Sequence, residues 1–228
     1  MFQRIAWAGV LALFFTGCLT IEENYTFKKN GSGTLEYVVD MSELGELLKA
    51  FEEMGDNGEG AGAQEQIGTL SMEDEVEALK RVPGISAVKL NNKKQWVQRV
   101  QLRFKDVTAL NAALNVLMPD STGKPHEFFL WEGSTLVRTN NRHAYELGAG
   151  MAQAEDPSEE GEDMDMSALL GSMKYKFSFK FAQDISETTT AARMNKEAAA
   201  KREVRFDTDW SVIAQDREAL DLRIQLAR

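Results

Sequence analysis

Cysteine is almost absent: the 228-residue chain has one, Cys18. A lone cysteine makes no internal disulfide, so the fold must stand on its core. Histidine is nearly as scarce, at positions 126 and 143. Neither His126 nor His143 has a cysteine or a second histidine at ligand spacing, which argues against zinc. No metal and no cofactor is expected. Positive charge is in deficit, with 26 Lys and Arg against 36 Asp and Glu and a formal net charge of −10. Such a surface repels phosphate backbones, so a nucleic-acid partner is excluded. No apolar run reaches the ~20 residues that span a bilayer. No G-x-S-x-G, H-E-x-x-H or phosphate-binding glycine loop occurs. No catalytic residue is therefore assigned, and the expectation is that the chain is not an enzyme.

What is present begins at the amino terminus. Arg4 supplies positive charge, Ile5 to Phe15 is apolar apart from Gly9, and Thr16-Gly17 precede the cysteine. This is the layout of a secretory signal. Phe15-Thr16-Gly17-Cys18 resembles a bacterial lipobox, which implies cleavage after residue 17 and lipidation of Cys18, with diacylglyceryl and palmitate-type chains. Each buried methylene adds about 0.8 kcal/mol, and stable anchoring takes more than one chain. The partner implied is a membrane, held through lipid on Cys18. Leu19, rather than aspartate, follows the cysteine, which favours the outer membrane of the cell envelope.

The rest of the chain alternates between two periods. Ile21, Tyr25 and Phe27 share one strand face, KNGSG (29–33) is a turn, and Leu35, Tyr37, Val39 and Met41 share the next. Leu44, Leu47, Leu48 and Phe51 have helical spacing, as do Met72, Val76 and Leu79, and Val107, Leu110, Leu114 and Leu117. GISAVKL (84–90) and QWVQRVQLRF (95–104) read as one hairpin, EFFLW (127–131) and STLVRT (134–139) as another. KYKFSFKF (174–181) alternates strictly, and ALDLRIQL (219–226) closes as a strand. Residues 192–201 are rich in alanine and fit helix or strand. Glu22, Glu23, Glu36 and Asp40 read as surface acids of the first hairpin. The pattern predicts an α+β fold: a mainly antiparallel sheet of hairpins with amphipathic helices packed on one face. One domain over 18–228 is expected, with flexible loops at 55–66 and 148–167, where acidic and small residues dominate.

Tyr175, Phe177, Phe179 and Phe181 point one way along their strand. They are candidate ligand-binding residues, because curled sheets with aromatic linings can enclose apolar ligands, although aromatics at this period are more often ordinary core. The lipobox cysteine, the immediate strand, K-N-G-S-G-T (29–34) and R-F-K-D-V-T-A-L-N (103–111) together resemble a loose group of bacterial envelope lipoproteins, the mycobacterial LppM type among them. The resemblance covers roughly residues 20–140. It implies a compact β-rich domain like lipid-binding folds. The chain departs from that type in closing on the strand pattern LRIQLAR instead of a transmembrane segment. The expected function is that of a non-enzymatic, membrane-anchored envelope lipoprotein binding an apolar, lipid-like ligand or an envelope protein at the membrane surface. The alternatives are a structural or assembly lipoprotein with a filled core, and an enzyme whose site leaves no motif.

Overall fold

A computed structural model describes residues 19–53, 71–139, 141–152, 166–191 and 193–227. Among the described residues, eleven strands form two sheets. The first hairpin is β1 (Thr20–Phe27) and β2 (Gly33–Asp40), followed by helix α1 (Ser42–Glu53). Helix α2 (Glu73–Leu79) leads into β3 (Ile85–Asn91) and β4 (Val97–Phe104), and α3 (Val107–Leu117) follows. Next come β5 (Phe129–Glu132), β6 (Thr135–Arg138), α4 (Arg142–Ala152) and α5 (Met166–Ser172). The chain then runs through β7 (Lys174–Phe181), β8 (Ile185–Thr190), β9 (Asn195–Ala200), β10 (Glu203–Asp209), the single-turn α6 (Trp210–Ile213) and β11 (Leu222–Leu226).

The large sheet has the order β3-β4-β2-β1-β7-β10-β9, and the small one β5-β6-β11-β8. The strand that follows Cys18 is therefore the middle strand of seven. Its pairing with β2 is antiparallel, from Thr20↔Asp40 to Phe27↔Gly33. Its pairing with β7 is parallel, from Thr20↔Lys174 to Phe27↔Phe181. The other pairings are antiparallel. Gly31 closes the first hairpin with φ +80°, a left-handed conformation that glycine adopts without steric penalty. At Gly33 the backbone of Thr26 comes so near that a Cβ would lie 2.0 Å from its carbonyl oxygen.

The α+β architecture is as the alternation predicts, with one addition. The helices share the inner face of the large sheet with the second sheet. Tyr25 meets Phe129 edge-on at 5.0 Å and Phe27 meets Trp131 at 5.9 Å, so β5 lies over β1. The chain crosses between sheets after β7, where the Ala182 amide donates to Phe27 and the Ala227 amide to Asp184. Residues 195–200 are strand, settled by pairing with β10, which overrides alanine's helical preference. Helix α4 runs through residues 148–152, into the stretch expected as a loop, and α5 begins at Met166. The remainder of that loop, and all of 55–66, lie outside the described residues. Among the described residues, no helix is long and apolar enough to cross a membrane.

Candidate functional site

The inner face of β1 carries Ile21, Glu23, Tyr25 and Phe27 in alternation, so the pleat drives one carboxylate into the core. Glu23 is fully buried, which corrects its reading as a surface acid. Its counter-ion is Arg138 at the end of β6, also fully buried. Arg138 Nη1 donates to Glu23 Oε2 at 2.8 Å, and Nη2 donates to Oε1 at 3.0 Å, a two-pronged pair from one sheet to the other. The hydroxyls of Tyr25 and Tyr175 donate to the same carboxylate, one to each oxygen. Behind the guanidinium, Nε donates to Asn141 Oδ1 at 3.2 Å, and Asn141 Nδ2 donates to Asp221 Oδ1 at 2.8 Å. Phe177 and Phe129 flank the cation, with ring centroids 4.5 and 5.1 Å from its central carbon.

Burying two charges costs several kcal/mol each unless geometry and hydrogen bonding are close to complete. Here the carboxylate accepts four donors, and the arginine spends Nε, Nη1 and Nη2. Burial alone would push Arg138 down, but the Glu23 carboxylate and then the tyrosine oxygens hold it above its ordinary value. Burial, followed by the charge of Glu23, pushes the Tyr25 and Tyr175 phenols well above theirs. At neutral pH Arg138 is therefore a cation and the two phenols are neutral. With both charged groups sealed from solvent, the arrangement clamps the two sheets together. It offers no reacting atom to a substrate.

The four candidate ligand-binding residues lie along this wall. Tyr175, Phe177, Phe179 and Phe181 are all buried. Phe179 stacks on Tyr25 at 5.1 Å and meets Phe206 at 6.2 Å, while Phe181 stacks on Phe27 at 5.5 Å. The row is thus in ring-to-ring contact with its own core, and the Tyr175 hydroxyl is committed to Glu23. Cys18 lies outside the described residues, but its neighbour does not. The Leu19 carbonyl accepts from the Lys174 amide at 2.9 Å, so the sheet is engaged one residue after the cysteine.

The opposite face of the large sheet is polar. A surface hollow of about 400 Å³ is lined by Asn24, Thr34, Glu36, Lys89, Gln101 and Arg103. Another of about 460 Å³ is lined by Glu22, Asn24, Lys176, Ser178, Arg205 and Asp207. Several charges on this face pair with each other: Arg99 donates to Glu36 at 3.1 Å, and Arg205 to Glu203 at 2.8 Å. A second polar group lies beyond α3, where the Thr122 hydroxyl donates to Asp120 at 2.5 Å and His126 Nε2 meets the other oxygen. The Thr122 hydroxyl, then the His126 contact, holds Asp120 down to about 2. The Thr122 hydroxyl also lies 3.4 Å from His126 Nε2, the same ring nitrogen that meets Asp120, so the three do not form a nucleophile–base–acid relay, in which the base uses one nitrogen for each partner.

His143, on α4, has a buried Nδ1 with no hydrogen-bond partner, and its Nε2 is 3.4 Å from the Tyr175 hydroxyl. Burial, then the Arg138 cation, holds its imidazole down to about 3, against the opposing pull of Asp120 and Glu146. The unfolded chain binds this proton near pH 6.5 and the folded one only near 3. Folding stability therefore falls as pH drops below about 6.5, by at most about 1.4 kcal/mol per pH unit for one group. Urea unfolding at pH 7.5 and 5.5 should show a loss for the native chain that exceeds the loss for His143→Gln. Equal losses would remove His143 as the cause.

No protein-family model matches the chain, and no curated protein matches it. Seven chains of solved structures match. One is the NMR structure of the folded domain of the LppM protein of Mycobacterium tuberculosis. Its similarity covers 93% of this chain and 92% of that chain, with a TM-score of 0.44 and 9% sequence identity.

Proposed function

We propose that the chain is a bacterial envelope lipoprotein, anchored through acyl chains on Cys18, with no enzymatic activity. Its folded body engages an envelope partner at the membrane surface. The observation that carries this reading is the absence of slack between anchor and fold. Cys18 is followed at once by Leu19, which is already hydrogen-bonded into the sheet, and Thr20 opens the middle strand. Consecutive Cα atoms are about 3.8 Å apart, so the body is held at the headgroups. A body without reach suits work done at that surface, and Leu19 in place of aspartate favours the outer membrane.

A partner taken up on the exterior is favoured over a lipid held in the interior, because the aromatic row is packed ring against ring. Expression of the full-length chain with labelled palmitate tests the anchor. Label should enter the native protein and bring it to the membrane fraction, and Cys18→Ser should lose both. A native chain that takes up no label would sink the proposal.

A further inference from the structure

The lipid anchor proposed above fixes a point; the topology adds a direction. Thr20 pairs with Asp40 on one side and Lys174 on the other. Asp40 in turn faces Val97, and Lys174 faces Asp209. The anchor end of the large sheet therefore carries the start of α1, the turn between β3 and β4, the junction of α5 with β7, and α6. Cations stand there: Lys93 and Lys94 are exposed on the turn, and Lys174 begins its strand. Asp40 lies 3.9 Å from Lys94, the reach of a loose surface pair, which leaves the amine open to another anion. At the other end, eight residues along β1 and roughly 26 Å away, is the Lys28–Ser32 turn.

We propose that the bilayer is the docking partner of the anchor end of the sheet. The turn bearing Lys93 and Lys94, together with the start of β7, lies at headgroup level, with the lysines facing lipid phosphates. The Lys28–Ser32 turn points away from the membrane. With it points the hollow of about 360 Å³ between Lys29, Trp131 and Gln183, above Phe27 and Phe181. The occupant is set by where the chain leaves the described structure. Any acyl chain on residue 18 begins one residue from this end, and a tether of that length cannot carry the lipid round to the other. This inference rests on Cys18 being acylated.

The test uses the full-length acylated protein in phosphatidylcholine–phosphatidylglycerol vesicles that carry a nitroxide on a fraction of the headgroups. With the native thiol acylated, one introduced cysteine takes one fluorophore. Lys94→Cys and Asn30→Cys place it at the two ends, and Lys93→Cys with Lys29→Cys repeats the comparison. Quenching by the headgroup nitroxide should be at least threefold stronger at 94 than at 30. Equal quenching, or the reverse order, overturns the orientation. Flotation of the same samples and the acyl mass on residue 18 separate the causes. Protein that floats with the order reversed refutes the orientation alone, whereas protein without acyl chains that stays behind refutes anchor and orientation together.

Discussion

Arg138→Met loses about 3–5 kcal/mol of folding stability, because it leaves the Glu23 carboxylate buried with its counter-ion gone. That is a large share of the 5–15 kcal/mol typical of a folded domain. Arg138→Lys does not restore it. An ammonium cannot bridge both carboxylate oxygens from one plane while lying between the rings of Phe129 and Phe177. The double variant Glu23→Gln with Arg138→Met recovers most of the loss. It removes the charge while keeping an amide oxygen to accept from one tyrosine hydroxyl and an NH2 to donate to the other. Urea midpoints for the native chain, the singles and the double give the coupling energy directly. A single variant within about 1 kcal/mol of the native protein would show that water or relaxation already compensates the pair, contrary to its full burial.

Phe179→Ala costs about 3–5 kcal/mol and leaves a cavity. The ring is fully buried and lies among Tyr25, Phe129, Phe177 and Phe206. Tyr25, Phe177 and Phe206 lie on strands paired on both sides, so the neighbours close the gap only in part. An apolar cavity of this kind stays dry and takes up a benzene-sized molecule. Thermal unfolding with and without benzene should therefore raise the midpoint of the variant and leave the native protein unchanged. If the native protein were itself stabilised, or came through native mass spectrometry with lipid bound, the interior would be open and the external-partner reading would give way to an enclosed apolar ligand.

The local elements were legible because their signals are local. Alternation in TIEENYTF, GTLEYVVD and KYKFSFKF marks three strands of the large sheet, and heptad-like spacing marks α3. The candidate site was half visible. Glu23 occupies the inward position of its own strand pattern, between Ile21 and Tyr25, yet a strand acid is so often on the solvent side that composition outweighs position. Its partner is 115 residues away on another sheet, and no local signal reports that distance. Helix α4 was hidden for the opposite reason. Its buried contacts are made by small residues: a Cβ on Gly148 would come within 3.2 Å of Ala214, so close approach is achieved with a composition that reads as loop. Residues 195–200 show tertiary pairing overruling propensity at the sheet edge.

The parallel pairing of β1 with β7 also orders events in time. During synthesis the first strand has β2 next to it in sequence, but its other edge waits for β7, whose Phe177 pairs with Glu23 across 177 − 23 = 154 residues. Throughout that interval the edge is an open template for the wrong neighbour. The charged side chains of TIEENYTF keep the nascent edge hydrated, so the same carboxylate that ends sealed in the interior guards the chain against aggregation before the interior exists.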